Sequence, residues 1–302
     1  MSASPEPWPP QERRTRRCVA PFSRTAVRLA WIAALIAVAA GLLRWTPPPT
    51  FGGFSAGVSN SASSAGTNTY FSCRNAAVGE SGTTAYVAYP LAEASGLIAT
   101  DVSGNNRPGV YSATGITYSA TGPCPRDTPA SRSVTLNGST GAISGPSGAQ
   151  TNPTVFSVEI WFKTTASQGK LIGFGNVLTG TSSQYDRHLY VDSTGALVFG
   201  VYPNAVKTVA SVAKVNDGVW HHGVGTLSGA GQFLYLDGAL VASTAAVTTA
   251  QNYSGYWRIG YDNLNGWPNP PSGYFNGSLA WAAAYSFALS AAQVTAHYRA
   301  GL

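Results

Sequence analysis

Val155-Phe156-Ser157-Val158-Glu159-Ile160-Trp161-Phe162-Lys163 puts a purely apolar side chain at every second position (Phe156, Val158, Ile160, Phe162), with Ser157, Glu159, Trp161 and Lys163 between them. Period two marks a strand with one buried face. Further along, Leu234-Tyr235-Leu236-Asp237-Gly238-Ala239-Leu240-Val241 sets Asp-Gly between two β-prone runs. A type I′ hairpin turn takes that pair because both central residues need positive φ. Asp192-Ser193-Thr194-Gly195 before 196–202, and Asn216-Asp217-Gly218 before 219–222, repeat the order of turn then strand. No helix-length periodic segment interrupts them, so this part of the chain is predicted to be a β-sandwich.

The helix signal comes last. Ser290 can cap the amides that follow, Gln293 can reach back, and Leu289 can pack on Val294; together these make a capping box with a hydrophobic staple. The helix is expected to run to about His297 or Tyr298, stop at Gly301 and pack on the sandwich edge as a terminal clamp.

The formal charge of +6 is carried by the N-terminus. Seven of the eighteen basic residues are arginines before residue 50, and eleven basic side chains face ten acidic ones afterwards. A body so nearly neutral lacks the basic face that nucleic-acid binding requires, and nucleic acid is discounted as a partner. Residues 29–43 are fifteen uncharged residues rich in Ala, Leu and Ile, flanked by Arg24, Arg28 and Arg44. They read as an export signal or a short transmembrane helix with the N-terminus in the cytoplasm, since a span takes about twenty apolar residues. The expected organisation is a basic N-terminus at 1–28, the apolar helix at 29–43, a Pro/Gly/Ser-rich linker at 44–72 and one domain at 73–302. The protein is expected to be exported, either secreted or held at the cell surface by an uncleaved helix. Residues 50–67 resemble the leader junction of bacterial biofilm-fibre and camelysin-type exported proteins, which implies cleavage near Gly53 or Phe54. Cleaved and membrane-anchored forms both stay open.

Cys18 precedes the apolar segment, whereas Cys73 and Cys124 follow it as an even pair. In an oxidising compartment they are expected to form a disulfide closing a loop of about fifty residues, the alternative being two buried thiols. Neither has a His or a second Cys at zinc-ligand spacing.

Tyr89-Pro90-Leu91, Asp101-Val102-Ser103-Gly104-Asn105-Asn106 with Gly109, Trp220-His221-His222, Tyr235-Leu236-Asp237-Gly238 and Phe275-Asn276-Gly277-Ser278-Leu279 together resemble a laminin-G-like domain of the concanavalin A-like jelly-roll superfamily. The resemblance covers residues 85–301. It implies an all-β, antiparallel two-sheet jelly-roll sandwich with a short C-terminal helix. It further implies a concave face or rim loops for ligand and, often, one structural calcium. Two acids that usually follow the Phe-x-Gly-Ser-Leu motif are replaced here by Ala280, Trp281, Ala282, Ala283 and Ala284. Calcium binding is therefore expected to be weak or absent, with Asp101, Asn105 and Asp262 as the remaining candidate ligands.

Sugar sites use flat aromatic faces for stacking and polar neighbours to read hydroxyls. Trp267, in a Gly-Pro-Asn loop, is predicted to be a surface aromatic, joined by Tyr261. Tyr185, Arg187 and His188 form a second polar loop that could flank the same rim, while Trp257 reads as core. His221 and His222 point to opposite strand faces and suit packing better than shared metal ligation. Glu159 lacks a second carboxylate at i+2 or i+4 and is expected to pair with Lys163 or line the second face, so a diverged glycoside hydrolase is disfavoured. The function expected is a non-catalytic extracellular module binding a glycan or cell-surface polymer, with a structural cell-envelope or matrix role as the alternative.

Overall fold

The computed structural model describes residues 72–79, 85–128, 131–167, 169–269 and 272–302. The basic N-terminus, the apolar segment 29–43 and residues 44–71 of the linker lie outside the described residues, and with them the expected export signal or transmembrane helix. Among the described residues no helix is long and apolar enough to cross a membrane.

Among the described residues, seventeen strands and two helices follow the turn signals. After helix α1 (Cys73–Val78) come β1 (Val87–Tyr89), β2 (Ile98–Ala99), β3 (Gly109–Tyr111), β4 (Ile116–Thr121), β5 (Arg132–Asn137), β6 (Ile143–Ser144) and β7 (Gln150–Thr151). The long strands are β8 (Phe156–Lys163), β9 (Gly169–Gly175), β10 (Tyr185–Val191), β11 (Ala196–Val201), β12 (Lys207–Lys214), β13 (His221–Ser228), β14 (Gly231–Leu236), β15 (Ala239–Thr244), β16 (Ser254–Ile259) and β17 (Asn276–Tyr285), followed by α2 (Ala291–Ala300). One antiparallel sheet has the order β15-β14-β13-β8-β17-β5-β4, with β1 also on β17; the other runs β12-β11-β10-β9-β16-β6-β3-β2, with β7 also on β16. The two sheets face one another across a single core to which Phe156, Val158, Ile160, Phe162, Leu189, Phe199 and Trp257 contribute. Asp237 and Gly238 adopt φ of 51° and 79°, the positive pair that the β14–β15 hairpin turn demands.

The outer face of β8 departs from the expected one-sided strand, because Ser157, Glu159 and Trp161 are buried as well. Helix α2 lies over this face rather than at the sheet edge. Its Ser290 capping box forms as read from sequence, Tyr298 stacks on Trp161 with centroids 5.7 Å apart, and His297 Nδ1 lies 2.8 Å from Glu159 Oε2. His222 Nε2 adds a second contact to the same oxygen at 3.4 Å, and the Tyr285 hydroxyl donates to Oε1. Glu159 thus pairs with two histidines, not with the exposed Lys163. The alanines standing where the resemblance expects acids are buried, and Ala280 and Ala283 pack with Cys73 and Ala77 of α1. Small side chains there let the helix approach the sheet. Cys73 and Cys124 are joined by a disulfide, with Cα atoms 5.9 Å apart. Beside it, Asp127 accepts from the Trp281 indole at 2.7 Å and the Arg74 amide at 3.2 Å.

The Glu159 cluster and a second one, His221 with Asp217 and Asp237, set opposite pH limits. Burial alone would raise the Glu159 carboxyl, but His297 and His222 hold it well below its ordinary 4.5. That contribution is complete above pH 4.5 and is lost as pH falls through the depressed folded value. Burial pulls His221 down, yet Asp237 at 2.8 Å and Asp217 at 3.2 Å raise it above 6.5. Its contribution is complete below pH 6.5 and is lost as pH rises through the raised folded value. Thermal melts should therefore show greatest stability between about pH 4.5 and 6.5. His221→Gln should flatten the alkaline limb and leave the acid limb in place; an unchanged alkaline limb would refute this assignment.

Candidate functional site

An open cavity of about 550 Å³ lies on the outer face of the nine-stranded sheet, lined chiefly by Ser183, Tyr185, Tyr202, Gln251, Asn265 and Trp267. Its walls come from four connections, one of them the β15–β16 segment that carries Gln251. The turn between β9 and β10 ends in Tyr185, the turn after β11 begins with Tyr202, and the loop between β16 and β17 folds back over the sheet. The Tyr185 hydroxyl donates to the Asn265 carbonyl at 2.9 Å, so the two loops predicted to flank one rim do meet.

Trp267 occupies a different position from the one its sequence context predicts. It is only 3% exposed and packs with Tyr190, Val198 and Leu264 between the loop and the sheet. Its ring sits over Gly200, where a Cβ would come within 2.3 Å of Cζ3. Trp267 is therefore the floor of the cavity rather than a free stacking platform. The exposed aromatic wall is Tyr202, at 37%, which sequence reading passed over. Its position, two residues after the outward-facing Gly200 and one after the core residue Val201, carries the signal: it continues the outward face of β11 past the strand end.

Arg187 and His188 are fully buried and cannot touch a ligand in the cavity. Arg187 stands at a bulge in β10 with φ of 54°. Its guanidinium donates to Pro153 O at 2.9 Å, Asn152 Oδ1 at 2.9 Å and Gln251 O at 2.8 Å, and pairs with Asp186. The rings of Phe174 and Tyr253 flank it, with centroids 5.0 and 5.3 Å from Cζ. Asp186 in turn accepts from the Tyr202 amide at 3.1 Å and the Gln251 amide at 2.9 Å. The buried pair thus fixes the backbone of two residues lining the cavity. His188 stacks beneath Tyr185 and meets the Trp267 ring edge at 4.5 Å. Burial holds its imidazole well below the ordinary range, helped by the Lys170 and Arg187 charges and only weakly opposed by the Tyr185 backbone.

Tyr261 lies outside the cavity lining. It stacks on Tyr274 at 3.8 Å and shares a hydrogen bond with Thr181 at 2.8 Å. The three candidate calcium ligands do not converge. Asp101 accepts from the amides of Ala88, Ser103 and Arg107 at 2.9–3.0 Å and from the Ser103 hydroxyl at 2.8 Å. Both of its oxygens are thereby committed to donors. Asn105 turns its amide nitrogen to the Ala85 carbonyl at 2.7 Å. Asp262 belongs to another loop, where Ser182, Lys170 and Arg258 surround it. Asp101, Asn105 and Asp262 thus do not assemble the oxygen cage that calcium takes.

A two-sheet antiparallel sandwich with a loop-walled cavity on one outer face is the architecture of a lectin-like domain. The family described as the concanavalin A-like lectin/glucanases superfamily matches residues 137–295, just over half of the chain. The chain belongs to this superfamily. No curated protein matches it. Among solved structures it is similar to the binding domain of Paraclostridial Mosquitocidal Protein 1, at 14% identity over 71% of this chain and 52% of that one, with a TM-score of 0.51. It is also similar to domain 4 of AbnA, a GH43 extracellular arabinanase from Geobacillus stearothermophilus, in complex with arabinotriose, at 19% identity over 70% of this chain and 97% of that one, with a TM-score of 0.47. The Botulinum Neurotoxin Type G receptor binding domain matches at 12% identity over 72% and 51%, with a TM-score of 0.49. The chain spans about half the length of the mosquitocidal and neurotoxin structures. At these identities the likeness is one of fold.

Proposed function

We propose that the protein is a non-catalytic, exported binding module that takes a glycan in the Tyr185–Tyr202–Trp267 cavity. The cavity itself carries this reading: two partly exposed phenol rings and a buried indole floor stand beside Gln251, Asn265 and Ser183, which can exchange hydrogen bonds with hydroxyls. No carboxylate or cation is among the described lining residues. That favours a neutral ligand and gives no support to glycoside hydrolysis, which uses paired carboxylates. The disulfide favours an oxidising compartment, and superfamily membership supports a lectin role.

Tyr202 is the residue to remove, since its backbone amide and not its ring is used in the fold. Tyr202→Ala should weaken binding to whichever neutral oligosaccharide a glycan array selects by about tenfold, or ~1.4 kcal/mol, without lowering the melting temperature. Unchanged affinity in the folded variant would move the site elsewhere. Preferential retention of sialylated or uronic-acid glycans on the array would overturn the neutral-ligand reading.

A further inference from the structure

Beneath the cavity floor, a second cluster holds the parts of an acyl-transfer site with no role in the binding reading. Lys170 on β9 is fully buried, and its Nζ has no hydrogen-bond partner. The nearest carboxylate oxygen, Asp262 Oδ2, is 3.6 Å away. Oδ2 also accepts from the Ser182 hydroxyl at 2.8 Å. The other oxygen, Oδ1, is cradled by two backbone amides, Ser182 at 3.0 Å and Asn263 at 2.8 Å, with Arg258 at 3.4 Å. Opposed donors on one oxygen are how a tetrahedral oxyanion is stabilised. His188, with both ring nitrogens lacking a hydrogen-bond partner, completes the group. His188 Nδ1 and Lys170 Nζ converge on Gly173, where a Cβ would lie 2.6 Å from one and 3.1 Å from the other. A Cβ at Gly175 would lie 2.3 Å from Asp262 Oδ2. The two glycines of β9 leave the room that the cluster fills.

From this geometry we infer that Lys170 and Asp262 condense within the folded chain to an intramolecular isopeptide bond. The ammonium and carboxylate together hold all the atoms required. Lys170 Nζ gives up two protons, a bond forms from Nζ to Asp262 Cγ, the Cγ–Oδ2 bond breaks, and Oδ2 takes both protons and leaves as water. Nothing is oxidised or reduced. The first proton passes from the Lys170 ammonium to Asp262 Oδ2, 3.6 Å away, which turns the carboxylate into an electrophilic acid, and Ser182 Oγ relays the second to the departing Oδ2. The charge of the intermediate falls on Oδ1, between the Ser182 and Asn263 amides. Burial lowers the Lys170 ammonium to about 8 against the opposing pull of Asp262, which makes the nucleophilic amine accessible near neutral pH. The bond would tie β9 to the loop carrying Trp267 and so fix the cavity floor.

Tryptic mapping of the full chain after disulfide reduction tests this directly. Cross-linked protein should yield peptide 164–187, uncut at Lys170, joined to 259–299 and lighter than their sum by one water, about 18 Da. Lys170→Arg should abolish the joined species. Recovery of separate peptides with cleavage at Lys170, or a water loss that persists in Lys170→Arg, would overturn the inference. The wild-type map needs no variant to fold, so failure of Lys170→Arg to fold leaves the test intact.

Discussion

Arg187→Ala should be among the most damaging single substitutions in the domain, lowering stability by about 3–5 kcal/mol in chemical denaturation, the range for removing one partner of a buried ion pair. The loss has three sources. Asp186 would keep its burial but lose the cation beside it. The carbonyls of Pro153 and Gln251 and the Asn152 side chain would lose their donor. A void would open between Phe174 and Tyr253. Burial already pushes the Asp186 carboxyl upward while Arg187 opposes it. Without the arginine that carboxyl should rise further, so the variant's deficit should grow as pH climbs above the ordinary carboxylate range. The double variant Asp186→Asn, Arg187→Met should recover part of the loss. A deficit below about 1 kcal/mol, the scale of an exposed pair, would show that the site is wetter than its geometry.

Opening the Cys73–Cys124 bridge should cost about 4 kcal/mol, since the cross-link spans 51 residues of sequence and chain-entropy loss scales with the logarithm of loop length. Only α1 and the 122–128 turn are held by the bridge, so the cost should be paired with local exposure. Hydrogen exchange in Cys73→Ala, Cys124→Ala should quicken in α1 and around Trp281, whose indole meets Asp127 in that turn, before it quickens in β8 or β13. Uniform acceleration across both sheets would mean that the bridge supports the whole sandwich instead.

The strands were legible because a period of two and Asp-Gly or Asn-Asp-Gly turns are local signals. Phe156, Val158, Ile160 and Phe162 line the core as their spacing required, and Ser290 with Gln293 fixed the start of α2. The site was harder to read. Tyr185-Asp186-Arg187-His188 looks like a polar loop, yet Asp186 and Arg187 neutralise each other inside the fold, and polarity is a poor guide to exposure when adjacent charges pair. Trp267 misled for a related reason: its Gly, Pro and Asn neighbours mark a loop correctly, but whether a loop stands in solvent or folds down on a sheet depends on Gly200, 67 positions away. The Glu159–His222–His297 contacts join three segments distant in sequence, a relation that spacing alone does not carry.

The placement of α1 and α2 has a consequence for how the domain meets its surroundings. Both cover the outer face of the eight-stranded sheet, whereas the cavity opens on the outer face of the nine-stranded one. Ser72 caps α1 and Leu302 follows α2, so both lie on the covered side. Two sheets about 10 Å apart, with side chains and loops on either side, stand between that side and the cavity mouth. The rear of the domain is thus occupied by its two helices, and the cavity mouth opens on the opposite face.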